Sequence, residues 1–304
     1  MSHILPLMQR EWLQHRLGWS LMTGIPIGVA LLLVAFGEVQ LEPGELDAAG
    51  DVLPAILTTG ALFATAAIVF LVAWMSSLIL VSGLSRRDHA DRSVEFWLSL
   101  PVGHVRFLAT PLLVHLVLVP AAALLIGLAG GTLISLVLVG RVAGVAAWFA
   151  LPWGTVTAAA LAGVGRLLLG LPLATLWLLP LIMPVVLFSA WFRRWGLVIV
   201  SVGIGLGSFL LEQWSGQPLL WQAVVGLVRN AARSMAGAGP QHLAIDGPQQ
   251  ALVALEAIPG LALRDLGHAL ALLPSPLLAG GLLVAAACFA LLVDWRRRGA
   301  GAAG

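Results

Sequence analysis

Long runs of apolar residues, separated by short polar segments, constrain this chain more than any other feature of its sequence. Only 10% of the 304 residues are charged and 60% are hydrophobic, whereas about 25% of a soluble domain is charged. Hydrocarbon about 30 Å thick offers the backbone no hydrogen-bond partner, so a chain crosses it as a helix of roughly 20 apolar residues. The sequence therefore predicts an all-α, polytopic membrane protein with about six transmembrane helices. The predicted spans are residues 19–37, 52–84, 107–139, 167–191, 197–211 and 277–293.

The charges around the first two spans predict the orientation of the chain. Residues 38–51 hold five acidic residues and no basic residue, which is typical of an external loop. Arginines follow the second span, and an excess of basic residues marks cytoplasmic loops. We therefore expect cytoplasmic N- and C-termini in the inner (plasma) membrane of a bacterium. The arginines after the second span are Arg86, Arg87, Arg92 and Arg106.

The segments outside the spans predict the remaining organisation. Residues 1–18 place Ile4, Met8 and Trp12 on one helical face, which favours an N-terminal cytoplasmic interfacial helix. A single transmembrane domain follows over residues 19–293, with a cytoplasmic tail at residues 294–304. The external segment at residues 212–276 has apolar residues at helical spacing, which predicts re-entrant or surface helices before the last span.

Residues 142–165 are rich in alanine, glycine and threonine and make a weak candidate for a span. A full crossing there would place Arg193, Arg194 and the terminal arginines outside the cell. We expect this segment to be partly embedded or interfacial, and the sequence alone leaves open whether it spans the membrane.

The basic residues exclude several kinds of chemistry. All 16 are arginine, so the chain can supply neither the lysine of a Walker A loop nor a lysine Schiff base. The one cysteine, Cys288, excludes an intrachain disulfide. We therefore expect no cofactor in this chain and no nucleic-acid partner, and any ATP that drives it would be bound and hydrolysed by a partner subunit.

The polar segment at residues 85–106 separates the second and third spans. Asp91 suits a helix N-cap, and Pro101 ends the short helix that would follow it. Phe96 and Leu100 would lie on one side of that helix and Trp97 on another, as contacts for a docked partner. The alternative is that Phe96 and Trp97 belong to the aromatic belt at the lipid interface.

Residues 91–102, DRSVEFWLSLPV, resemble the cytoplasmic signature of permease subunits in ABC-type exporters of the type-2 export class. The segments LMQREWLQHR at residues 7–16 and LWLLPLIMPVVLFSAWFRR at residues 176–194 resemble the same family. Glu95 departs from the basic or neutral residue that is commoner there. The resemblance implies a permease half that forms a translocation pathway as a homodimer or heterodimer and binds a separate ATP-binding subunit through a coupling helix. The implied contact residues are Asp91, Arg92, Ser93, Glu95, Phe96, Trp97, Leu100 and Pro101.

His115 is an ionisable residue well inside a predicted span, which makes it a candidate pathway residue. The structural alternative is a hydrogen bond from His115 to a neighbouring helix or a backbone carbonyl. An intramembrane enzyme would need a serine with a histidine, or glutamates with histidines, at membrane depth, and the sequence indicates no such pair. A non-transporting scaffold or sensor subunit of an ABC-type complex is the other alternative.

Three glycine pairs have the four-residue spacing that lets helix backbones approach closely. The pairs are Gly24 with Gly28, Gly127 with Gly131, and Gly203 with Gly207. We expect each pair to mark a helix contact.

Overall fold

A computed structural model describes residues 4–38, 50–90, 103–236 and 248–301. All of its regular elements are helices, and five stretches are long and apolar enough to cross a bilayer. The chain is therefore an all-α, polytopic membrane protein, as the sequence predicted. The helices are α1 (Ile4–Phe36), α2 (Leu53–Ala90), α3 (His104–Leu113), α4 (Val119–Val142), α5 (Val145–Phe149), α6 (Trp153–Phe192), α7 (Gly196–Ser215), α8 (Leu219–Ala236), α9 (Pro248–Ala271) and α10 (Pro276–Gly301).

The core of the bundle is built from α2, α4 and α6. Gly127 and Gly131 of α4 bring its backbone against Ala66 and Leu62 of α2, so that the two helices run antiparallel in close contact. Helix α6 has 40 residues, about 60 Å at 1.5 Å per residue, or twice the hydrocarbon thickness. Trp177 of α6 is fully buried in the largest apolar cluster.

The predicted glycine contact is confirmed at Gly127 and Gly131. At Gly24, Gly28 and Gly203, no neighbouring helix comes within 4 Å of the position that a Cβ would occupy, so the spacing alone did not identify a contact there. Gly207 faces the side chain of Leu220 of α8. Two glycines four residues apart allow a second helix to approach closely, but their spacing does not show that a helix packs there.

Helix α1 runs without a break from Ile4 to Phe36, so the N-terminal segment and the first predicted span belong to one helix. Gly18, where the segment was expected to meet the span, lies inside this helix. Glu11 is 1% exposed and contacts the turn that holds His115. The interfacial position of residues 1–18 stays a prediction.

Two arginine contacts define the two ends of the bundle. At one end, Arg141 Nη1 donates hydrogen bonds to the carbonyls of Val34 and Gly37 at 2.5 and 2.8 Å, which caps the last turn of α1. At the other end, the guanidinium groups of Arg10 and Arg296 both lie over the Phe107 ring. We call these the Arg141 end and the Phe107 end.

Residues 153–165 begin the long helix α6 and do not form a separate element. Val156 and Ala159 are fully buried there, against Leu62 of α2 and Leu255 of α9 at the Arg141 end. The fourth predicted span is the later part of this same helix. The apolar stretch Trp153–Ser215 holds both α6 and α7, joined by a 3₁₀ turn in which Arg193 has a φ of 60°.

The segment at residues 212–276 contains the two predicted helices, α8 and α9. The helical spacing of Leu220, Val224, Val228, Ala231 and Met235 predicted the buried face of α8. Ala231 and Met235 are buried there together with Leu227, whereas Val228 is 48% exposed. Helix α9 runs from Pro248 to Ala271, and Pro259 lies inside it. Proline removes one backbone donor and bends a helix, but supporting contacts allow the helix to continue.

Candidate functional site

The predicted ATPase contact residues, Asp91 to Pro101, lie outside the described residues. The structure describes both flanks of this segment: α2 ends at Ala90, and α3 begins at His104. The contact with an ATP-binding subunit therefore stays a prediction.

Phe107 lies one turn into α3, immediately after that segment. Its ring is 6% exposed, and its centroid lies 5.2 Å from the guanidinium carbon of Arg10 and 3.8 Å from that of Arg296. Such cation–π contacts contribute about 0.5–2 kcal/mol each. These contacts join α1, α3 and α10 just after residues 91–101, which we call the predicted docking segment.

His115 lies in a π-helical turn, Val114–Leu118, between α3 and α4. Pro120 has no amide hydrogen, so it cannot donate the usual helical bond to the Leu116 carbonyl. Thr175 Oγ1 of α6 lies 3.4 Å from that carbonyl and offers a donor in its place. Single π turns inside α-helices are rare and frequently occur at functional sites.

The structure places His115 against α1. Its side chain is fully buried, and its Nε2 lies 3.2 Å from Oε2 of Glu11, which is 1% exposed. The structural alternative for His115, a bond to a neighbouring helix, is confirmed. Its suggested place on a translocation pathway stays a prediction.

Two further side chains of α1 complete this centre. The His15 ring lies edge-on to the His115 ring, with centroids 5.2 Å apart, and Trp19 lies 5.7 Å from His115. Glu11 and His15 are one turn apart, so they share a face of α1. One ligand atom each from Glu11, His15 and His115 can be chosen so that all three lie within 4.8 Å of one another. Carboxylate and imidazole groups in this number can hold a metal ion.

Cavities lie on both sides of the π turn. A cavity of about 270 Å³ lies between α1 and this turn, bounded by Met8, Trp19, Ser20 and Val114 among others. A second, of about 390 Å³, lies between the turn, α6 and α10, and its walls include Leu116, Thr175 and Phe289. Most of the side chains that line both cavities are apolar, so the polar side chains of Glu11 and His115 lie beside largely apolar cavities.

The sequence indicated no pair of a glutamate and a histidine, and the structure brings Glu11 and His115 together. Glu11 and His115 are 104 residues apart, so no short motif contains both. Two signals are present in the sequence: the four-residue spacing of Glu11 and His15, and Pro120 four residues after Leu116. Neither signal identifies the partner without the packing of α1 on the π turn.

Arg166 of α6 joins the helices of the segment at residues 212–276 to the bundle. It is 7% exposed, and its Nε donates to Asp265 Oδ2 of α9 at 2.7 Å. Its Nη1 donates to the Ser234 carbonyl, in the last turn of α8, at 2.7 Å. Because one guanidinium bonds both helices, Arg166 has a structural role that its sequence position at a span boundary did not indicate.

Comparison with known protein families, with curated proteins and with solved structures gives no match for this chain. The class that the fold defines is a polytopic, all-α membrane protein. The resemblance to exporter permeases depends on the three sequence segments alone.

Proposed function

We propose that this chain is the membrane-spanning permease half of an ATP-driven ABC-type exporter, coupled through residues 91–101 to a separate ATP-binding subunit. The observation that carries the proposal is the sequence DRSVEFWLSLPV between α2 and α3. The absence of lysine supports a separate ATPase, because this chain cannot build a Walker A loop. Two such halves, as a homodimer or heterodimer, would enclose the translocation pathway.

We infer six crossings with both termini in the cytoplasm. The first helix and the last helix both contact Phe107, which supports an even number of crossings. The five apolar stretches supply six if α6 and α7 each cross. The Phe107 end carries Arg10, Arg106 and Arg296, and the positive-inside rule favours the cytoplasm for this end. A bacterial inner (plasma) membrane fits this arrangement.

The packing around the docking segment supports a route for transmitted motion. Helix α2 leads into the segment, and α3, the π turn and α4 lead out of it. Gly127 and Gly131 hold α4 tightly against α2, so a displacement of the segment would move both helices together. Closure of the ATPase pair would then tilt this unit and open the pathway to the other side, as a rigid-body switch between two states.

Replacing both Phe96 and Trp97 by alanine is expected to release the ATP-binding subunit while leaving insertion unchanged. Buried aromatic side chains supply much of the binding energy of interfaces, so the double variant should lose at least about 2 kcal/mol. The measurement is the ratio of ATP-binding subunit to permease, by quantitative mass spectrometry, after affinity purification from membranes of the native host.

The matched control is Phe209→Ala with Trp214→Ala, which removes two exposed aromatic side chains of α7. This variant should retain the ATP-binding subunit. An unchanged subunit ratio in the Phe96 and Trp97 variant would contradict the proposal.

An intramembrane enzyme is a second candidate, favoured by the buried Glu11 and His115 beside the half-buried His15. It predicts substrate turnover by the purified chain with no ATP-binding subunit present. A scaffold or sensor subunit would instead keep that subunit bound and show no ATP-dependent flux in proteoliposomes.

A further inference from the structure

We propose that Glu11, His15 and His115 bind a Zn²⁺ ion between α1 and the π turn. This site is separate from the predicted ATPase contact and does not depend on the proposed function. Glu11 and His15 lie one turn apart on α1, and His115 supplies the third ligand from the π turn.

The distances suit one ion. Zinc binds histidine nitrogen and carboxylate oxygen at about 2.0–2.2 Å, so neighbouring ligands of a tetrahedral ion lie roughly 3.4 Å apart. Oε2 of Glu11 and Nε2 of His115 are 3.2 Å apart. All three ligand atoms fall within 4.8 Å, so a small rotation of the half-buried His15 side chain completes the set.

The types of ligand at this site favour zinc over calcium and magnesium. Two imidazoles and one carboxylate form a His₂Glu set, which is used in zinc sites that keep a fourth position open. Calcium and magnesium prefer sets made wholly of oxygen ligands. A divalent cation would also place a positive charge beside the carboxylate of Glu11, which is 1% exposed.

A second observation comes from the side chains around this set. His115 Nδ1 and Trp19 Nε1 are buried, and neither has a hydrogen-bond partner within the described chain. Buried polar atoms without partners are uncommon and costly. The fourth ligand of a bound ion could accept a hydrogen bond from Trp19 Nε1. With Nε2 of His115 on the metal, its Nδ1 points away from the ion and would donate to a separate water molecule.

The cavity beside the site provides space for that fourth ligand. It has a volume of about 270 Å³, and Trp19, Ser20 and Val114 are among the residues around it. A water molecule occupies about 30 Å³, so water or a small exogenous ligand can reach the open position. When zinc is bound, coordination bonds from Glu11 and His115 tie α1 to the π turn and replace the hydrogen bond between these two side chains.

The test uses the full-length chain in detergent, purified on a tag without histidine and stripped of metal with a chelator. Zinc chloride is added, the bound zinc is counted by mass spectrometry, and affinity is measured by competition with a chromophoric chelator. We expect one zinc per chain, with magnesium failing to compete. His15→Gln should weaken zinc binding by roughly 100-fold or more, because one of three protein ligands is lost.

Two matched variants make the result specific. His268→Gln removes an exposed histidine of α9 and should leave zinc affinity unchanged. His15→Cys should restore binding, because a thiolate is also a zinc ligand. His15 takes no part in the bond between Glu11 and His115, so both His15 variants are expected to fold, which size-exclusion elution checks.

The proposal is overturned if the wild-type chain binds no stoichiometric zinc, or if His15→Gln binds it as tightly as wild type. The Phe96 and Trp97 double variant should bind zinc normally. Loss of the ATP-binding subunit and loss of zinc are therefore separate readouts, and either can fail without the other.

Discussion

Replacing Gly131 by valine is expected to destabilise the chain by about 3 kcal/mol, because there is no room for a side chain where α4 crosses α2. A Cβ at this position would lie 2.8 Å from the Leu62 Cα and 2.9 Å from the Ala61 carbonyl oxygen. Both of those atoms are backbone, so relief requires the helices to separate. The separation would also open the packing around the neighbouring Gly127. Thermal unfolding in detergent, followed by intrinsic tryptophan fluorescence, measures the effect.

Gly28→Val is the matched control for this substitution. It introduces the same side chain into a helix, but a Cβ at Gly28 would have open space around it. Its effect should stay near the helix-propensity difference, which is a few tenths of a kcal/mol in favour of valine over glycine. Equal destabilisation by Gly28→Val and Gly131→Val would contradict the close contact between α2 and α4.

Replacing His115 by leucine is expected to destabilise the metal-free chain by about 3 kcal/mol, because it leaves the buried Glu11 carboxylate without this partner. The double variant Glu11→Leu with His115→Leu should be more stable than His115→Leu alone. Removing both polar groups also removes the penalty of burying one of them unpaired. Unfolding free energies of the wild type, both single variants and the double variant form the required cycle.

The coupling free energy from this cycle distinguishes a real pair from two independent side chains. Residues in direct contact commonly couple by about 0.5–3 kcal/mol. If the effects of the two single substitutions add within error, then Glu11 and His115 do not interact, and α1 does not pair with the π turn through them.

The periodicity and length of apolar runs were sufficient to predict the helices and the membrane class of this chain. Each predicted span overlaps a helix, and Ala231 and Met235 lie on the buried face of α8 as their spacing indicated. These features follow from local backbone geometry and from the apolar surroundings, which act on every turn in the same way.

The boundaries within continuous helices could not be predicted in this way. Helix α1 continues past Gly18, and α9 continues through Pro259. A helix boundary depends on whether neighbouring helices support the backbone at that point, and this information lies far away in the sequence.

The polar contacts were the least accessible from sequence. The local pattern around Glu11 identifies no partner for it, because His115 comes from another part of the chain. The position of Arg166 at a span boundary indicates no role, whereas its bonds join α6 to α8 and α9. In both cases the sequence shows a polar residue in an apolar region, but only the tertiary fold shows which residue it contacts.

The most direct test of the central claim is photo-crosslinking from position 97 in intact cells of the native host. A photoreactive phenylalanine analogue replaces Trp97, and the crosslinked product is identified by mass spectrometry. We predict a crosslink to a chain that contains a Walker A motif with its lysine. Crosslinks to lipid alone would contradict the proposal that a separate ATPase acts on this membrane protein through residues 91–101.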